Sequence, residues 1–167
     1  MRSKSEITLV IVFVVAIVFG VVGWMVTPTN EKGQPILLLP DVKKVEDYRS
    51  KAVKWSKEFQ ILDGRLATLM SGNSASLYSQ SNTSQDLFAD YVKLAQEIQN
   101  TEAPASLTGL KDSLLGTSDT YLNAGQAALK WVSNPTTENY ELAQSLIDTA
   151  QESLSLLESN TWIITTN

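Results

Sequence analysis

The chain has 167 residues, a net charge of −5 and neither histidine nor cysteine. Without those two residue types the usual zinc sites, the Cys/His nucleophile pairs, the Ser-His-Asp triad and the common haem attachments are all excluded. An acidic balance with no basic stripe interleaved with aromatics also argues against nucleic acid as a partner.

After a short tail, residues 1–6, the first element is ITLVIVFVVAIVFGVVGWMV, twenty residues from 7 to 26 without one charge. A helix of that length covers about 30 Å, the hydrocarbon thickness of a bilayer. The run is longer than the apolar core of a secretory leader. Val21, Val22 and Gly23 make a poor processing site, so the segment reads as a retained signal anchor rather than a cleaved leader. Trp24 falls where an interfacial aromatic sits, and Pro28 marks the helix exit. Arg2 and Lys4 flank one side while Lys32, Lys43 and Lys44 follow the other. The short tail is the easier part to leave in the cytoplasm, and the Ser/Thr/Asn/Gln-rich remainder suits the outside. The expected location is the cell membrane, single-pass, with a cytoplasmic N-terminus.

Residues 27–40, TPTNEKGQPILLLP, contain three prolines and a glycine and read as an extended linker. Within it Ile36, Leu37, Leu38 and Leu39 form an apolar run that needs cover from the bundle's end, the membrane interface or a partner.

From Val45 the pattern turns helical. Val45, Tyr48, Ala52, Trp55, Phe59, Leu62, Leu66 and Leu69 recur at spacings of three and four, predicting one amphipathic helix over 41–71, ended by Ser71-Gly72-Asn73. A second helix is expected to start at Ser74 and to run to Asn100 on Leu87, Tyr91, Leu94 and Ile98. Thr83 with Asp86 resembles a capping box inside it. A third, from about Pro104 to Val132, carries Leu107, Leu110, Leu114, Thr117, Tyr121, Ala124, Ala128 and Trp131. A fourth begins at Asn134-Pro135, read as an N-cap followed by proline at the first helical position, and carries Tyr140, Ala143, Ile147, Ala150, Leu154 and Leu157.

The connections are short, so neighbouring helices run antiparallel. The fold class is therefore all-α: a single N-terminal transmembrane helix, then an up-down-up-down four-helix bundle over 41–160 and a C-terminal tail, 161–167. Trp55, Phe59, Leu62, Leu66, Tyr91, Leu114, Tyr121, Trp131, Ile147 and Leu154 are its expected core. Asp63, Glu97, Asp119 and Asp148 fall off the seams and read as solvated.

Residues 32–65 carry eight Lys/Arg against five Asp/Glu, whereas residues 66–167 carry three against eleven. The first helix is thus basic and the others acidic. In an up-down bundle the fourth helix returns to the level at which the first began. Trp162, Ile163 and Ile164 would then join Trp24 and Ile36–Leu39 as a membrane or partner contact.

The bundle broadly resembles the extracytoplasmic sensor domains of chemoreceptors, which have in addition a second span and a cytoplasmic signalling part. A type IV pilin also opens on a long apolar helix, but its glycine before the mature chain and its glutamate within the apolar run have no counterpart here. The functional expectation is a non-catalytic accessory or scaffold subunit of a larger membrane complex. Its partners would be integral membrane subunits and the lipid bilayer, with no cofactor and no small-molecule ligand. Two rival readings are a membrane-tethered binding or sensor module and a cell-envelope or surface-filament component.

Overall fold

The computed structural model describes residues 40–72 and 77–163. The segment expected to be a transmembrane helix, most of the expected linker, and the expected contact residues Trp24, Ile36, Leu37, Leu38, Leu39 and Ile164 lie outside them. The described residues form four α-helices and no strand: α1, Pro40–Met70; α2, Leu77–Asn100; α3, Thr108–Ser133; and α4, Thr137–Glu158. A single 3-10 turn, Ala105–Leu107, leads into α3. None of these helices is long and apolar enough to cross a membrane.

Pro40, assigned by sequence to the linker, is instead the first residue of α1. Its missing N–H is no loss there, because the first amides of a helix have no partner within the helix. The other end of α1 closes on Gly72, whose φ of 70° is the left-handed conformation that glycine adopts without strain. α2 runs uninterrupted through Thr83, so Thr83 and Asp86 do not open a helix. The expected start at Ser74 lies outside the described residues.

The start of α4 corrects the sequence reading. Asn134 ends α3 rather than beginning α4, its N–H bonding the Lys130 carbonyl at 2.9 Å. The N-cap is Thr136, in extended conformation, whose hydroxyl accepts the Asn139 N–H at 3.2 Å. The Asn139 side chain donates to the Asn134 carbonyl at 2.8 Å, tying the two helix ends together. This turns Asn139 inward and leaves Tyr140, expected on the seam, 39% exposed against the edge of Trp131.

Bonds between the helices set their order and direction. Trp55 meets Glu97, and Arg65 meets Asp90, so α1 and α2 are antiparallel. Gln60 meets Glu158 and Asp63 meets Gln151, so α4 is antiparallel to α1 on another side. Thr117 with Ser153 and Trp131 with Tyr140 set α3 against α4 in the same way. The helices follow one another around a square, and α1 and α3 face each other across the core, where Phe59 stacks on Tyr121.

The backbone of α3 approaches both α2 and α4 closely, because Ala124, Gly125 and Ala128 on α3 and Ala143 and Ala150 on α4 are small and buried. The larger core residues of α1, Tyr48, Trp55, Phe59, Leu62, Leu66 and Leu69, fill the remaining width. Of the other expected core positions, Tyr91, Leu114, Tyr121, Ile147 and Leu154 are buried, and Trp131 is half-buried at the rim.

Candidate functional site

Mid-bundle, three rings form a stack. Phe59 lies 5.4 Å from Tyr121 and Tyr91 lies 5.2 Å from Tyr121 between centroids, with the rings within 20° of parallel in each pair. The Tyr121 hydroxyl donates to Asp63 at 3.1 Å, and Gln151 donates to both oxygens of the same carboxylate at 3.2 Å. One carboxylate on α1 therefore joins α3 and α4. Glu97 on α2 does similar work by accepting the Trp55 indole N–H at 3.0 Å. These two residues are not simply solvated, as their sequence positions suggest. They stand at helix boundaries, within reach of the polar tips of buried aromatic side chains.

Burial, with the Asp63 charge behind it, pushes the Tyr91 and Tyr121 phenols well above the ordinary tyrosine range, and the hydrogen bond to Asp63 adds to this for Tyr121. Tyr48 is raised in the same sense by burial and by Asp112. The Tyr48 and Tyr91 hydroxyls are buried with no hydrogen-bond partner among the described residues.

At the end of the bundle where α4 finishes, the chain turns and packs back on α1. Trp162 N–H bonds the Asn160 side chain at 3.0 Å, Ile163 N–H bonds the Asn160 carbonyl at 2.9 Å, and Arg49 donates to the Trp162 carbonyl at 2.8 Å. Ile163 is thereby buried in the core cluster, while Trp162 is 42% exposed. Of the apolar contact residues expected near this end, Ile163 closes the bundle and Trp162 alone among the described residues offers surface.

The outer surface is uneven in charge. A cleft of about 440 Å³ between α1 and α2 is walled by Lys51, Lys54 and Lys93 over a floor of Trp55 and Leu94. It also holds three acids, Glu58, Asp90 and Glu97, of which Asp90 is engaged by Arg65 and Glu97 by Trp55, while the three lysines have no ion-pair partner among the described residues. On α4, Glu141, Asp148 and Glu152 line a shallow strip. Among the described residues no group of three or more His, Cys, Asp or Glu could hold a metal ion. Asp112 and Asp119, which share a face of α3, gain no third acidic neighbour to complete such a group.

The charge segregation was legible in composition. The engagement of Asp63 and Glu97 was not, since it depends on which helices become neighbours. Comparison with protein-family models, curated proteins and solved structures returns no match for this chain.

Proposed function

We propose that this chain is a non-catalytic, single-pass membrane protein whose bundle, held outside the cytoplasm, serves as an accessory or scaffold subunit of a larger membrane assembly. The observation that carries the reading is the way the bundle's centre is filled. Phe59, Tyr121 and Tyr91 stack where ligand-binding bundles keep a cavity, and the Tyr121 hydroxyl is tied to Asp63. A core packed in this way leaves the outer surface to act. The uncharged run at 7–26 supplies the address. The small-molecule sensor reading finds no comparable support.

The test is to solubilise native membranes in a mild detergent, isolate the chain through a C-terminal tag, and identify by mass spectrometry its N-terminus and its companions. The proposal expects a full-length chain with stoichiometric integral membrane proteins. A chain that arrives alone, or begins after Gly23, would overturn it.

A further inference from the structure

Apart from its heptad seam, α2 carries one short pattern with chemical meaning. Asn82-Thr83-Ser84 sets a hydroxyl two residues after an asparagine with no proline between, the acceptor pattern for N-linked glycosylation. Asn134-Pro135-Thr136 has the same outline, and its proline bars it. Asn82 lies in the second turn of α2. Leu87, Tyr91, Leu94 and Ile98 define the buried face of that helix, and Asn82 stands roughly 150° round the helix from its centre. It is accordingly exposed, and its side-chain amide has no hydrogen-bond partner among the described residues.

The surroundings of Asn82 differ from the rest of the domain. Residues 66–85 hold no charged side chain, the longest such stretch after the apolar run, and eleven of the fifteen residues from Ser71 to Gln85 are Ser, Thr, Asn or Gln. Protein surfaces ordinarily stay solvated through mixed charges. Here hydroxyls and amides take their place, the same groups with which a glycan meets water. The Trp55–Glu97 and Arg65–Asp90 bonds put the first turns of α2 beside the last turns of α1, at the opposite end of the bundle from Arg49 and Trp162. A bulky, hydrated group on Asn82 projects into solvent there and displaces no packed side chain.

We propose that Asn82 is a modification site that carries an N-linked oligosaccharide at this end of the bundle. The inference rests on the placement of the bundle outside the cytoplasm proposed above, because N-linked sugar belongs to chains on that side of the membrane. The donor is a lipid-linked phosphate ester of the sugar. The bond between the anomeric carbon and the phosphate oxygen breaks, and the phosphate departs with the electron pair. The same carbon bonds Asn82 Nδ2, one amide proton passes to a base, and nothing is oxidised or reduced.

The folded geometry also fixes when this happens. Ser84 is 3% exposed, and its hydroxyl donates to the Ser81 carbonyl at 2.9 Å within the helix. Asn82 and Ser84 therefore lie on nearly opposite sides of α2, whereas on an extended chain residues two apart share one side. A transferase that engages both meets them together before α2 closes. The sugar then stays on the exposed side as the helix forms.

The test uses the tagged full-length chain from its own membranes. Trypsin cuts after Arg65 and Lys93, and the peptide between them holds Asn82. Mass spectrometry should find sugar on Asn82 in most copies of that peptide. Asn82→Gln and Ser84→Ala should each abolish the added mass, Ser84→Thr should keep it, and circular dichroism confirms that every variant is folded. Pro135→Ala completes a second acceptor pattern at the exposed Asn134 and serves as the control. Sugar on Asn134 with Asn82 bare would overturn the inference while leaving the placement of the bundle intact. Sugar on neither, or added mass that persists in Ser84→Ala, would overturn it as well, and the membrane reading would still be decided separately by the companions found in the same preparation.

Discussion

Tyr121 and Asp63 are bonded at 3.1 Å across the bundle, and the same Tyr121 ring stacks on Tyr91, whose own hydroxyl is buried without a partner among the described residues. Two neighbouring phenols thus have opposite energetic standing. A hydrogen bond to a charged acceptor stabilises, whereas a buried hydroxyl left unmade carries its desolvation penalty. Tyr121→Phe should destabilise the bundle by about 1–2 kcal/mol, because Asp63 then keeps only Gln151. Tyr91→Phe should leave stability unchanged or raise it by about 1 kcal/mol. Urea unfolding of the two variants beside the parent reads both signs, and a loss in Tyr91→Phe equal to that in Tyr121→Phe would contradict the asymmetry.

Gly125 and Gly116 sit on the same helix with different surroundings. A Cβ at Gly125 would lie 3.2 Å from both Phe88 and Tyr91, and Tyr91 is backed by Tyr121, so the ring has no room to yield. Gly125→Ala should therefore destabilise by about 1–3 kcal/mol despite alanine's higher helix propensity. Nothing lies within 4 Å of the corresponding position at Gly116, where alanine should stabilise by about 0.5–1 kcal/mol. Thermal melts of the two variants should move in opposite directions.

Alkaline stability follows from the phenols. Tyr91 and Tyr121 are held above their ordinary value by burial and by Asp63, so the unfolded chain loses these protons at lower pH than the folded one. The folded state therefore binds more protons once pH exceeds about 10, and stability falls as pH rises beyond that point. Below it their contribution is fully present. Phenolate absorbance followed together with far-ultraviolet circular dichroism should show these residues ionising with unfolding; ionisation while the helices stay intact would refute the burial argument.

The α4 cap is a local test of the corrected helix start. Thr136→Ala removes the side-chain acceptor of the Asn139 N–H and should cost about 1 kcal/mol. Replacing Pro135 by Ala should have a much smaller effect, because residue 135 lies outside α4. The reverse order in chemical denaturation would return the helix start to Asn134 and Pro135.

The helices were readable because their apolar residues repeat at the period of an α-helix. Tyr48, Ala52, Trp55, Phe59, Leu62, Leu66 and Leu69 announce the buried face of α1 without reference to any other part of the chain. The end of α1 at Gly72 was readable for a similarly local reason. Less local features were not. Asn134-Pro135 satisfies the usual helix-start pattern, yet Asn134 is used in closing α3, and the choice between the two turns depends on the Asn139 side chain reaching back across the connection.

By itself, then, the amino-acid sequence determined four amphipathic helices, their approximate lengths, and a basic first helix ahead of acidic ones, because periodicity and composition are local properties. Only the tertiary structure decided that Asp63 and Glu97 anchor buried aromatics, and that Ile163 closes the core while Trp162 stays at the surface. Each of these depends on which helices become neighbours and at what height. That is settled when small residues let α3 approach both of its partners and large ones hold α1 across from it, a packing condition that no single helix contains.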